Sequence, residues 1–183
     1  MKRILGYLLH YSMVLAERSA LFLKVYRFGN SLLVKHWVRL YNKNGLDGWR
    51  KFWIPVFAEW GKVRAPHLQK KMNIDTQSAR SLGSYHDFED PIFGITGHWE
   101  TSEQGEPVRV ETQCTGCDLF LAATDNKQCH SDFCRHMVKT LEQHTGATMN
   151  DDYQVEILEL LTEGDDACRF VHRLKQAERD AMS

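Results

Sequence analysis

The chain has 183 residues, 43% of them apolar and 26% charged, with five cysteines and a net charge of −1. Length and composition fit one domain, residues 1–183, with a core of its own, and no apolar run reaches the ~20 residues that cross a bilayer. The odd cysteine count, and an N-terminal apolar stretch broken by His10, predict reduced thiols in a cytoplasmic protein rather than a disulfide framework.

The near-zero net charge hides a division. Residues 1–72 carry 14 Lys and Arg against Glu17, Asp47 and Glu59, whereas residues 73–183 carry nine basic against 21 acidic residues. Trp37, Trp49, Trp53 and Trp60 are interleaved with Lys35, Arg39, Lys43, Arg50, Lys51, Lys62 and Arg64. Such a segment can meet an anionic membrane surface or a protein partner; nucleic acid is the weaker fit. The plainer expectation is a basic helical layer lying on its own acidic sheet, with the tryptophans, near helical spacing, as core anchors.

Apolar residues from Leu5 to Val25 predict a long helix ending near Gly29, followed by a second over 31–41. A third helical stretch is expected over 48–63, kinked or restarted at Pro55. Residues 73–85 read as loop or short helix, which leaves His86 in a loop before the sheet. Residues 93–101 and 107–113 read as strands joined by the turn 102–106, because Val108 and Val110 alternate with Arg109 and Glu111. A helix is expected over 129–144, with Ser131 as N-cap and Gly146 beyond its end. Strands over 153–161 and 167–174 flank the turn-rich segment 162–166. The expected fold class is α+β: an N-terminal helical layer (1–72) packed on an antiparallel sheet of two hairpins with an intervening helix (86–175) and a Cys-rich pocket.

No glycine-rich phosphate cradle, His-Glu-x-x-His helix or Gly-x-Ser-x-Gly elbow is present, which removes the usual support for nucleotide and serine-hydrolase chemistry. What remains is the cysteine set. Cys114-x2-Cys117-x11-Cys129-x4-Cys134 has the short gaps of a zinc site, so a divalent metal, zinc first, is a candidate cofactor. Cys129 and Cys134 stand five apart in an expected helix and point in different directions. A mixed set of Cys114, Cys117 and Cys129 or His130 is therefore favoured over four thiolates. His98-Trp-Glu100 before Cys114-x2-Cys117 also has a zinc-deaminase flavour, although Gln113 replaces the proline of that motif.

The run from Cys114 through Cys129-His-Ser-Asp132 to Gly164-Asp-Asp-Ala-Cys168-Arg-Phe170 resembles the L-2-amino-thiazoline-4-carboxylic acid hydrolase family. The final hairpin resembles the 4-vinyl reductase domain as well, a small-molecule-binding module. Cys117 and Cys134 have no place in the hydrolase pattern. The resemblance implies hydrolytic opening of a small cyclic amidine by water added at the carbon between sulfur and nitrogen. Cys114, Cys129 and Asp132 are the catalytic candidates. Cys129, at an expected helix start, or a metal-bound hydroxide would attack, and Asp132 would move protons. His86, His98, Cys168 and His172 are the substrate-binding candidates, the last two sharing one face of the last strand. The alternatives are a non-catalytic small-molecule or metal-binding sensor related to the 4-vinyl reductase domain, and a subunit of a larger complex.

Overall fold

A computed structural model describes residues 1–175. Helices α1 (Lys2–Arg18), α2 (Ala20–Asn44), α3 (Asp47–Arg50), α4 (Trp53–Met72), α5 (Ala79–Leu82) and α6 (Tyr85–Phe93) precede the hairpin β1 (Ile95–Thr101) and β2 (Pro107–Cys114). Then come α7 (Thr115–Ala123), α8 (Lys127–Asp132), a π-helical turn over Phe133–Val138, α9 (Lys139–Met149), and the second hairpin, β3 (Tyr153–Glu159) and β4 (Cys168–Leu174). The protein is α+β, with the helices N-terminal and a four-stranded antiparallel sheet in the order β1-β2-β4-β3.

The helical layer follows from its apolar spacing. On α4 the buried residues Trp53, Val56, Phe57, Trp60, Gly61, Arg64, Ala65 and Leu68 recur at three and four, which gives the helix one inward stripe. Pro55 falls in the first turn, where a missing N–H breaks no bond, so α4 neither kinks nor restarts there. The long N-terminal helix is interrupted at Ser19, whose backbone is extended (φ −154°, ψ 130°), rather than at Gly29. Gly29 sits inside α2 with open space around it, and a 25-residue helix absorbs the ~1 kcal/mol that one glycine costs.

All four N-terminal tryptophans are buried. Trp37, Trp49, Trp53, Phe57 and Trp60 join Phe120, Phe133 and Leu141 in one core, and the Trp49 indole donates to the Trp37 carbonyl at 2.9 Å. A second core beneath the sheet gathers Leu68, Leu82, Tyr85, Tyr153, Val155, Leu160 and Phe170.

The alternation in β2 has the opposite sense to a conventional strand. Arg109 pairs with Phe170 and Glu111 with Cys168, and all four side chains are buried on the helix-facing side. Val108 and Val110 lie on the outer face with Val171 and Ala167. That face is roofed by ion pairs of Arg169 with Glu100 and Glu159, and of Arg173 with Glu106 and Glu156. The arginine stems cover the valines, and the charged heads reach water.

Two further sequence expectations change. The helix expected from Cys129 starts at Lys127, and Asn126 caps it by accepting from the Cys129 N–H at 3.2 Å. His86 lies on α6 rather than in a loop, because Tyr85, His86, Glu89, Asp90 and Ile92 form a helical stripe that is largely polar. An apolar count does not register such a stripe.

α4 packs between α1 and α9, and two glycines set the distances. A Cβ on Gly61 would stand 2.5 Å from the Leu141 carbonyl and 3.0 Å from the Thr145 nitrogen, and one on Gly6 would stand 2.9 Å from the Trp60 nitrogen. Backbone cannot yield as a flexible side chain can. Gly61→Ala is therefore expected to destabilise the fold by about 2 kcal/mol, measured by urea unfolding.

Candidate functional site

Four elements bring charged residues to one buried place: Arg64 from α4; His86, Glu89 and Asp90 from α6; Arg109 and Glu111 from β2; Glu142 from α9. Each is 5% exposed or less. Arg64 forms an ion pair with Glu89 and donates Nε to the Thr145 hydroxyl at 2.7 Å. Arg109 grips Asp90 Oδ2 through Nε at 3.0 Å and Nη2 at 2.5 Å. The other Asp90 oxygen faces His86 Nδ1 at 3.3 Å, and Glu111 Oε1 approaches the same nitrogen at 3.4 Å. On the far side of the ring, His86 Nε2 stands 3.8 Å from Glu142 Oε2.

All of these charged residues except Arg109 line one end of a cavity of about 180 Å³. Its other walls are mainly apolar, among them Tyr26, Val34, Trp37, Phe57, Phe120 and Phe133, with Asn30, His130 and Thr162 between them. Among the described residues, the buried polar atoms without a hydrogen-bond partner include Arg64 Nη2, His86 Nε2, Glu89 Oε1 and Glu142 Oε2 at this end, and those of Trp37, Trp60 and His130 elsewhere on the wall. Native proteins leave few such atoms unpaired, and their concentration on one cavity marks a place built to receive polar groups.

The titrations follow from burial. Burial lifts the Glu142 carboxyl to about 7, against the pull of His86. It raises Glu111 and Glu89 as well. Burial opposes a charge on His86, yet Glu142, Asp90 and the hydrogen bonds to Asp90 and Glu111 outweigh it and hold its pKa well above the usual value. His172 goes the other way: burial, then the charge of His86, keeps it neutral, with Nδ1 2.5 Å from the Tyr153 hydroxyl. The two imidazoles, shifted in opposite directions, have ring centroids 5.4 Å apart.

The residues singled out from sequence divide into three groups. Cys114, Cys117, Cys134, Cys168, His86 and His130 line the cavity. Cys117 rests against Cys114 and Cys168, which push its thiol far up. Cys114, Cys117, His130 and Thr162 also border a surface groove of about 610 Å³, so they stand between cavity and exterior. His172 is fully buried beside the charged cluster, on the same inward face as Cys168 and Phe170.

Cys129, Asp132 and His98 lie elsewhere. Cys129 is buried in the aromatic core, where burial and then the Asp132 charge push its thiol up to about 12, the reverse of the activation expected at a helix start. Asp132 accepts from the Tyr41 hydroxyl at 2.6 Å and from Gln128 at 2.9 Å, tying α2 to α8. His98 lies on the outer sheet face, paired with Glu100 at 3.0 Å. The proposed ligand set of Cys114, Cys117, Cys129 and His130 does not converge on one point. Among the described residues, the group of three whose donor atoms lie within 4.8 Å of one another is His86, Asp90 and Glu111.

Sequence reasoning missed Arg64, Glu89, Asp90, Glu111 and Glu142 as site residues. The available signal was charge at inward parity: Arg109 and Glu111 alternate with Val108 and Val110, and His86 stands four residues before Asp90.

No family model matches the chain, and no curated protein matches it. Among solved structures, the chain is similar to a trafficking protein particle complex subunit 3 from Naegleria fowleri covalently bound to palmitic acid. The TM-score is 0.56 at 14% sequence identity, over 81% of this chain and 96% of that one. The similarity is one of fold.

His10 supplies a pH test of the helical layer against which the cavity is built. Burial, then His67 and Arg64, lower its pKa to about 4, while an unfolded imidazole titrates near ~6.5. Between those values the unfolded chain binds a proton that the folded chain refuses, so this contribution to stability is lost as pH falls through that window. His86 and Glu142, with raised values, act with the opposite sign and cancel in a comparison of variants. His10→Phe is therefore expected to lose less stability than the wild type between pH 7 and pH 5, read from urea midpoints.

Proposed function

We propose that the chain binds a small polar molecule in the buried cavity and hydrolyses a carbon–nitrogen bond in it, as the likeness to the thiazoline carboxylate hydrolases suggests. The observation that carries this reading is the set of unpaired buried polar atoms of Arg64, His86, Glu89 and Glu142 at one end of the cavity. A cyclic amidine bearing a carboxylate has complementary groups. Its anion would accept from Arg64 Nη2, and its amidinium N–H would donate to Glu142 or Glu89.

In the reaction, water adds to the amidine carbon and gives its proton to a neighbouring carboxylate. The ring carbon–nitrogen bond then breaks, and the ring nitrogen departs as an amine carrying a proton. Glu142, with a free oxygen facing His86, is the group best placed to carry that proton. His86 supplies positive charge beside it.

The cavity size favours a compact ligand. A volume of about 180 Å³ is below the ~300–1,000 Å³ that encloses drug-sized molecules, and smaller than a long acyl chain needs. A palmitoyl group like the one held by the similar structure would require the aromatic wall to open.

The test uses L-2-amino-thiazoline-4-carboxylate as probe, with the hydrated ring-opened product followed by mass. Glu142→Gln is expected to lower kcat at least ~100-fold while leaving the circular dichroism spectrum in place. Wild-type protein that is neither stabilised by the probe nor converts it would sink the proposal.

A second reading concerns partners and is favoured by a separate surface. Ile4, Leu8, Tyr11 and Leu15 on α1, and Leu21, Phe22, Val25, Phe28 and Leu32 on α2, are exposed within one basic layer. Apolar surface of this extent marks a contact face, and the similar structure is a complex subunit by its own description. We propose that this face docks a protein chain, in the simplest case another copy. In sedimentation velocity, Leu21→Asp with Phe28→Asp is expected to abolish concentration-dependent association. A wild type that stays monomeric but floats with anionic vesicles would replace this reading with a membrane one.

A further inference from the structure

We infer that the charged end of the cavity is a binding site for one divalent first-row cation, held by His86 Nδ1, Asp90 Oδ1 and Glu111 Oε1. The donor set points to a cation between hard and borderline character, Mn²⁺, Fe²⁺ or Zn²⁺, rather than the soft ions that thiolates select. These donor atoms lie within 4.8 Å of one another, and their residues come from two elements locked together by the grip of Arg109 on Asp90. That grip uses Asp90 Oδ2 alone and leaves Oδ1 turned towards His86.

The charge count agrees with this placement. Glu89, Asp90, Glu111 and Glu142 face Arg64 and Arg109, all at most 5% exposed. With all four carboxyls ionised and the imidazole neutral, as a bound cation would make them, two negative charges are in excess, which is the charge of one dication. Uncompensated buried charge is expensive. A single proton on His86 Nδ1 is a poor substitute, because Asp90 and Glu111 approach that nitrogen at 3.3 and 3.4 Å and one N–H cannot bond well to both.

Glu142 completes the arrangement. Its Oε2 and His86 Nε2 are both buried, lack hydrogen-bond partners and stand 3.8 Å apart. A histidine that binds a cation through one ring nitrogen ordinarily donates the other N–H to a carboxylate, which orients the ring and strengthens its donor. A small closure between α6 and α9 would make that bond. Three protein ligands with the cavity on the open side leave coordination positions for water or a ligand.

The site is separate from the cysteine set and does not depend on the hydrolytic proposal, because occupancy is read without substrate. Chelator-treated full-length protein is titrated with Mn²⁺, and free ion is followed by its electron paramagnetic resonance signal. One ion per chain is expected, with a rise in thermal unfolding temperature as it binds. Glu111→Gln should weaken binding at least ~10-fold, and Glu142→Gln by a similar factor through the orientation of His86, each in protein that retains its circular dichroism spectrum. Cys114→Ser with Cys117→Ser should leave Mn²⁺ binding unchanged. Folded wild-type protein that takes up no stoichiometric Mn²⁺ or Zn²⁺ overturns the inference, as does binding that survives Glu111→Gln or disappears with the cysteine pair. Bound Mn²⁺ without turnover of the thiazoline probe would refute the proposed activity and leave the cation site standing.

Discussion

The hold of Arg109 on Asp90, with that of Arg64 on Glu89 beside it, joins the helical layer to the sheet. Four elements meet at these two guanidinium groups, and each brings a charged side chain that is 5% exposed or less. Pairs of this kind add little net stability, since desolvation offsets most of the attraction, but removing one partner strands the other. Their effect is on geometry. α6 cannot slide along β2 without parting Asp90 from Arg109, and α4 cannot turn about its axis without parting Arg64 from both Glu89 and Thr145.

The apolar interior is arranged around this constraint rather than through it. The tryptophan core lies to one side, between α2, α4 and the α8 to α9 region, and the tyrosine and leucine core lies to the other, under β3 and β4. The cavity opens between them and borrows walls from both. A fold with a single continuous core would leave no such space. Here the charged seam prevents the two apolar clusters from merging.

How much of this could be read from the chain depends on which signal each element carries. The strands were legible to within a few residues because β-branched residues alternate with polar ones, and the tryptophan helices because their apolar stripe repeats at three and four. Helix α6 was not, since His86, Glu89 and Asp90 face inward and an apolar count takes such a stripe for a solvated loop. The break at Ser19 was misplaced to Gly29 because glycine is the stronger local signal, and tertiary packing overrode it. Among the cysteines, spacing pointed to Cys114, Cys117 and Cys129 as a metal set and the family resemblance to Cys114, Cys129 and Cys168, whereas Cys114, Cys117, Cys134 and Cys168 share the cavity wall and Cys129 lies in the aromatic core. What separates them is the rotation of α7, α8 and the π turn, which sequence separation does not encode.

That π turn, Phe133 to Val138, closes its backbone hydrogen bonds one residue further along the chain than the α-helices on either side. It therefore resets the phase of the helix, so that His130 before it, Phe133 at its start, and Leu141 and Glu142 after it all come to the same cavity. The segment works as a coupling between two short helices with independent registers. Substitutions upstream reshape the thiol-lined mouth, those downstream reshape the charged floor, and neither has to remain in step with the other.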